Sequence, residues 1–179
     1  AATLLNITAD HVDHHGSMAR YIEAKASVFS RQGASDFCVF NAGDPLVFKL
    51  SRRCPSQKLY FGPPMTGVHA WTSQGKIHVR LPGSKKESLF TPPPLPGAHN
   101  LENAMAAILL ALKSGIKPAM IAKGLKAFKG VEHRLEEAGK LGALRCVNDS
   151  KATNVDSTLV ALKAFPEADH NLFLILGGL

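Results

Sequence analysis

The 179-residue sequence predicts an α/β protein in two parts. Three observations carry that expectation. Short apolar runs of strand length alternate with amphipathic or alanine- and leucine-rich helical stretches. Gly and Pro punctuate a middle region of short strands. After Gly130 a fresh strand–loop–helix–strand order begins.

The opening, "AATLLNIT", has the pattern of a buried strand end and runs into the polar loop "ADHVDHHG". Ser17 is placed to cap a helix of about three to four turns, its hydroxyl accepting from a first-turn N–H. On that helix Met18, Tyr21, Ile22, Val28 and Phe29 gather on one apolar face, and Lys25 falls among them. Lysine is almost never fully buried without a partner. Either its stem snorkels and its ammonium reaches water, or the position has chemistry.

"DFCVFNAGDPLV" predicts a strand ended by a Gly-Asp-Pro turn. Gln57 to Phe90 reads as short strands, with "VHAWTSQGKIHVRL" a hairpin turning at Ser73-Gln74-Gly75. "TPPPLPG" is a stiff connector. Asn100 is the expected N-cap of the helix "LENAMAAILLALKSG", with Gly115 its C′ residue. A second helix, "KPAMIAKGLKAF", has Pro118 in its first turn. A domain boundary is expected near Gly130, giving domains 1–130 and 131–179. "KGVEHRLEEAGKLGALRCVNDSKATN" then reads as two strands joined by Gly-Lys-Leu-Gly, followed by a polar loop. A helix from Asp156 to Phe165 and the strand "NLFLIL" complete a βαβ unit of a parallel sheet.

The net charge is +7, but the cations are dispersed through "SRRC", "GSKKES" and single lysines. No arginine-rich stripe with interleaved aromatics is present, which argues against a nucleic-acid groove. No apolar run reaches membrane-spanning length, and nothing reads as a secretory signal. The three cysteines form neither a zinc pattern nor a disulfide framework. A reducing compartment, most simply the cytoplasm, is expected, with no nucleic-acid partner, no membrane insertion and a monomeric state. The start without Met and the ending on a Gly-Gly turn predict a piece of a longer protein.

Polar residues concentrate in "NITADHVDHH" with Lys25, "GAHNLENAMAA", "EHRLE" and "NDSKATN". Singly, each has an ordinary explanation. His11 alone reads as a surface or capping histidine. Asn100 and Asn103 read as caps, Arg134 and Glu136 as a surface pair on one strand face, and "NDSKATN" as a capping loop. Together they say more. The first and last clusters follow apolar strand patterns, where open α/β sheets bind ligands. Carboxylates and an imidazole suit a hard divalent cation, amides a nucleobase, and Arg134 a phosphate.

"LNITADHVDHHGSMARYIEAK" resembles the Mur ligase pattern L-N-x-x-x-D-H-x-D-x-H followed by Y-x-x-x-K. "GAHNLENAMAA" is similar to that family's G-x-H-N-x-x-N-x-x-A-A helix, and "GVEHRLE" to its H-R-[LFM]-E element. "NDSKATNVDSTLVAL" is the most specific, and looks like the members that add D-glutamate. The resemblance implies the later part of a central nucleotide-binding domain with a small antiparallel β region, then the start of a Rossmann-like C-terminal domain. It implies a ligase of cell-wall (peptidoglycan) precursor synthesis. ATP would phosphorylate the carboxylate of UDP-N-acetylmuramoyl-L-alanine, and the amine of D-glutamate would attack the acyl phosphate.

By the same resemblance Lys25 is carbamylated by carbon dioxide, and with His11 it holds Mg2+, with Asp10 in support. Only about one lysine in a thousand is neutral at pH 7, and only the neutral amine takes up carbon dioxide. An apolar helix face would raise that reactive fraction. Asn100 and Asn103 would face adenine, Arg134 an ATP phosphate and Asp149 the ribose, with His133 lining that site. Lys151 and Thr153 would lie where D-glutamate meets the acyl phosphate. The family's phosphate loop, G-x-x-G-K-[ST], does not occur in the sequence, so this chain alone is expected to be inactive. Two alternatives remain open at this stage. One is another ligase of the superfamily, such as a folylpolyglutamate synthetase. The other is a non-catalytic nucleotide- or nucleic-acid-binding module.

Overall fold

A computed structural model describes residues 1–8, 12–165 and 172–177. It divides into two compact units, residues 1–95 with 99–129, and residues 96–98 with 130–179.

The first unit is built on a six-stranded sheet whose strands lie side by side in chain order. β1 (Ala2–Leu4), β2 (Phe37–Asn41) and β3 (Gln57–Phe61) run parallel. β4 (Ala70–Ser73) joins β3 through the single pair Phe61–Ala70. β5 (Lys76–Val79) and β6 (Ser88–Phe90) then turn antiparallel. The β4–β5 turn falls at the expected place, with Gln74 at φ 48° and Gly75 at φ 71°. Two left-handed central residues match the twist of a tight hairpin.

Strand alternation sends β2 into two cores. Cys38 and Phe40 enter one core with Leu4, Tyr21, Phe29 and Val47. Val39 enters the other with Leu59, Ile77, Phe90, Ile108 and Leu109. Helices on both faces of the sheet therefore have apolar stripes to bury.

On the first face lie α2 (Met18–Ala26) and α3 (Pro45–Ser51), with α1 (Val12–His15) beside α2. Ser17 caps α2 as expected, accepting from the Arg20 N–H. The α-helix is nine residues, however, and continues as a 3-10 turn at Ser27–Phe29. Tighter winding there rotates Val28 outward, where it is 46% exposed, while Tyr21, Ala26 and Phe29 are buried. The Gly-Asp-Pro segment does more than turn the chain. Asp44 accepts from the Leu46 and Val47 N–H groups and caps α3, with Pro45 in its first turn.

On the second face α4 (Ala98–Lys113) buries Ala104, Met105, Ala106, Ile108 and Leu109. It begins at Ala98, so Asn100 lies within its first turn and is not the N-cap. Its end is as expected: Gly115 at φ 86° lets Gly115 N–H reach Leu112 O, and Ile116 N–H reach Ala111 O. α5 (Pro118–Ala127) follows and buries Ile121.

The second unit contains the antiparallel pair β7 (Glu136–Leu141) and β8 (Leu144–Asn148), then α6 (Val155–Lys163) capped by Asn154. The hairpin turns at Gly142–Ala143, not across Gly-Lys-Leu-Gly; Gly139, at φ 122°, instead sits in a register shift of β7. Arg134 and Glu136 do not share a strand face, because β7 starts at Glu136 and Arg134 belongs to the preceding turn. The expected strand "NLFLIL" is not found among the described residues. Leu172–Gly177 pair with no sheet, and Ile175 is 95% exposed. An apolar run becomes a strand only where a neighbouring ladder accepts its backbone groups, so no βαβ unit is formed among the described residues.

Candidate functional site

The candidate residues fall into three places. Asp10 and His11, the expected metal element, lie outside the described residues. Lys25 is described and is exposed on the last turn of α2, not enclosed by the apolar face. Its Nζ stands 5.3 Å from the centroid of the Tyr21 ring, one turn back. Tyr21 in turn lies 5.3 Å, centroid to centroid, from His15. Among the described residues no group of three His, Cys, Asp or Glu converges as a metal site.

Asn100 and Asn103 sit on α4, three residues apart and therefore on one face. Asn100 is half-buried and Asn103 exposed. The buried Met105 and Leu109 point away from that face, while Ala104 lies one turn on from Asn100.

In the second unit, His133, Arg134, Asp149 and Lys151 are brought together by one hydrogen-bonded knot. His133 and Leu135 both take left-handed backbone, φ 64° and 47°, which is uncommon for residues with side chains. Each has its N–H tied to a carboxylate. His133 N donates to Glu136 Oε2 at 2.8 Å, and Leu135 N to Asp149 Oδ1 at 3.1 Å. Lys151 N donates to the His133 carbonyl at 3.1 Å. Asn148 Nδ2 lies 2.9 Å from His133 Nδ1; an amide NH2 can only donate, so this ring nitrogen accepts. Thr153 follows, its N–H on the Lys151 carbonyl. The Arg134 and Lys151 side chains are exposed and form no ion pair among the described residues. The arrangement presents a guanidinium and an ammonium, which can donate to anionic oxygens, and a carboxylate, which can accept from hydroxyls, on a braced backbone. Glu136, expected only as a surface partner of Arg134, and Asn148, the first residue of "NDSKATN", instead brace this turn. Their neighbours' left-handed conformation, which needs bracing, has no signature in residue order.

A cavity of about 520 Å3 was also unforeseen. It lies at the carboxyl ends of β1 and β2, with Asn6, Asn41, Asp44 and Glu102 among its walls. Asn41 Nδ2 donates to Glu102 Oε2 at 3.3 Å, while its Oδ1 accepts from Gly43 N at 2.8 Å. Asp44 Oδ2 accepts from Ile7 N at 2.8 Å. Burial, and then the Asp44 charge, push the Glu102 carboxyl above its ordinary 4.5, against the opposing hydrogen bond from Asn41. Such a group holds its proton more tightly folded than unfolded, so its ionisation makes stability fall as pH rises above 4.5. Glu102→Gln keeps an acceptor for Asn41 and cannot ionise. Its stability relative to the unsubstituted protein is expected to rise with pH from about 4 to about 7. Thermal melts across that range check it, and a pH-independent difference would refute it. The buried thiol of Cys38 is no nucleophile candidate: burial, then neighbouring Cys54, push it up to about 12.

The sequence profile of the Mur ligase middle domain matches residues 1–111. Two curated relatives are similar along almost the whole chain, and both are named UDP-N-acetylmuramoylalanine–D-glutamate ligase. The one from Elusimicrobium minutum (strain Pei191) is 43% identical over 99% of this chain and 39% of its own length. The one from Pelotomaculum thermopropionicum is 41% identical over 98% of this chain and 38% of its own length. The chain thus spans about two fifths of these relatives. Among solved structures, MurF from Acinetobacter baumannii superposes with TM-score 0.74 at 21% identity, covering 90% of this chain and 36% of that one. MurC from Thermotoga maritima superposes with TM-score 0.62 at 24% identity, covering 90% and 37%. At such identities the superpositions establish the fold, and the profile match over most of the chain establishes the kinship. This chain belongs to the Mur ligase middle domain family.

Proposed function

We propose that the chain is part of an ATP-dependent, ADP-forming ligase that joins D-glutamate to UDP-N-acetylmuramoyl-L-alanine in peptidoglycan precursor synthesis. Residues 1–130 are the later part of its central ATP-binding domain, and residues 131–179 the start of its C-terminal domain. The observation that carries this reading is the continuity of the similarity to the D-glutamate ligases. It runs at 43% identity over 99% of the chain, through "NDSKATN" and beyond the middle-domain match.

Phosphoryl transfer of this kind asks the protein for positioning and charge neutralisation. Asn100 and Asn103 face adenine, while Arg134 meets an ATP phosphate and Asp149 the ribose, with His133 bracing the turn between. Lys151 and Thr153 hold D-glutamate and the acyl phosphate. The amine of D-glutamate forms the C–N bond as the acyl C–O bond to phosphate breaks, releasing inorganic phosphate. His11 and carbamylated Lys25, with Asp10 in support, are the proposed ligands of Mg2+, which would supply charge neutralisation when bound. The reaction is assigned to the cytoplasm and to a monomer, with a role in cell shape and division that follows from the product.

The test is a substrate panel on the full-length protein, with ADP and phosphate release as the readout. D-glutamate with UDP-N-acetylmuramoyl-L-alanine is the expected pair. Acceptance of another amino acid or a folate in its place would overturn the assignment. The 179-residue chain alone, which has no G-x-x-G-K-[ST] loop to cradle the phosphates, is expected to give no turnover in the same assay.

A further inference from the structure

We infer that Glu102 is a positioning residue, a latch that holds the first turn of α4, with its Asn100–Asn103 face, against the loop after β2. The inference rests on the ATP-binding reading of that face. The Asn41 amide is used at both ends. Its NH2 reaches across to Glu102 Oε2 at 3.3 Å, and its carbonyl is pinned by Gly43 N at 2.8 Å. The loop that Asn41 anchors is tied in turn to the chain after β1, through Ile7 N on Asp44 Oδ2 at 2.8 Å. The three segments thus meet at one edge of the sheet, around the 520 Å3 cavity.

Glu102 and Asn103 are adjacent on α4, and about 100° of helical turn separates their side chains. One can therefore be held by β2 while the other faces outward. Asn41 is buried at 4% exposure, so its amide cannot turn to water without cost. Apolar packing fixes the middle of α4, because its buried residues begin at Ala104. Before Ala104 the Asn41–Glu102 bond, 61 residues apart in sequence, supplies a side-chain tie to the sheet. A small displacement of this turn moves both asparagine amides together, and directional hydrogen bonds to a planar base weaken steeply with misalignment.

The experiment measures ATP affinity directly, by calorimetry on the full-length protein, alongside thermal melts and steady-state kinetics. Asn41→Asp keeps the acceptor for Gly43 and replaces the donor with a carboxylate facing Glu102. It is expected to weaken ATP binding about five- to tenfold and to raise KM for ATP with little change in kcat. Glu102→Gln alone, still an acceptor for Asn41, keeps ATP affinity within about twofold. In the double variant the hydrogen bond is restored with reversed polarity, the introduced amide on α4 donating to the introduced carboxylate on β2, and ATP affinity returns. A purely structural contact would lower melting temperature in Asn41→Asp without shifting ATP affinity; that result, or failure of the double variant to recover, overturns the latch. A full-length protein that binds ATP but does not use D-glutamate refutes the substrate reading and leaves the latch testable. One that binds no ATP refutes both.

Discussion

Replacing Lys25 by alanine in the full-length protein is expected to reduce turnover to below about one-thousandth while leaving the fold intact. Lys25 is exposed, and among the described residues its ammonium meets the Tyr21 ring, at 5.3 Å. Exposed contacts of that kind contribute about 0.5–1 kcal/mol, so the melting temperature should fall only slightly. Tyr21 and Phe29, which fix α2 against the sheet, remain buried. The large loss of activity would instead come from the carbamate proposed on Nζ, whose anionic oxygens would help hold Mg2+. Two measurements separate this from an ordinary surface lysine. Intact-protein mass under bicarbonate should show the added carbon dioxide on the unsubstituted protein only, and a small carboxylate in solution should partly restore the alanine variant. Near-normal turnover in Lys25→Ala would return Lys25 to the solvated surface.

Asp149→Ala should lower kcat/KM for ATP about a hundredfold, because two roles are lost together. The carboxylate accepts the Leu135 N–H at 3.1 Å, and so holds the turn in which Leu135 and His133 are left-handed. It is also the group assigned to the ribose hydroxyls. Asp149→Asn divides the two, since its amide oxygen still accepts from Leu135 N–H but carries no charge. About a tenfold loss is expected there, the difference between a charged and a neutral hydrogen bond. Equal losses in both variants would mean that Asp149 acts through its charge alone. No loss in either would remove it from the nucleotide site.

Local rules were legible in the sequence where a few neighbouring residues decide the outcome. Ser17, the Gln74–Gly75 turn and the Gly115 helix end all behave as their side chains, or lack of one, demand. The motif residues His133 and Arg134, from one polar cluster, and Asp149 and Lys151, from another, are gathered by hydrogen bonds between the two segments. What failed turns on where a helix starts or changes its winding, or on partners distant in sequence. Val28 points outward because the helix tightens after Ala26. Asn100 is not a cap because the helix starts before it. The apolar run Leu172–Leu176 carries a strand pattern but has no ladder to join among the described residues. Glu102 was missed for the same reason: its meaning comes from Asn41, on another strand.

The order β1 to β6 across the sheet repeats the order along the chain. Within residues 1–90, each of β2 to β6 can therefore add to the edge left by its predecessor. The loops to be closed shorten along the sheet, from partners 36 residues apart at β1–β2 and 20 at β2–β3 to a two-residue turn at β4–β5, so closure costs least entropy at the hairpin end. The order also suits a chain emerging from the ribosome, since each strand finds its docking edge already synthesised. α4, arriving after β6, then covers Val39, Leu59 and Ile77, which precede it in the chain.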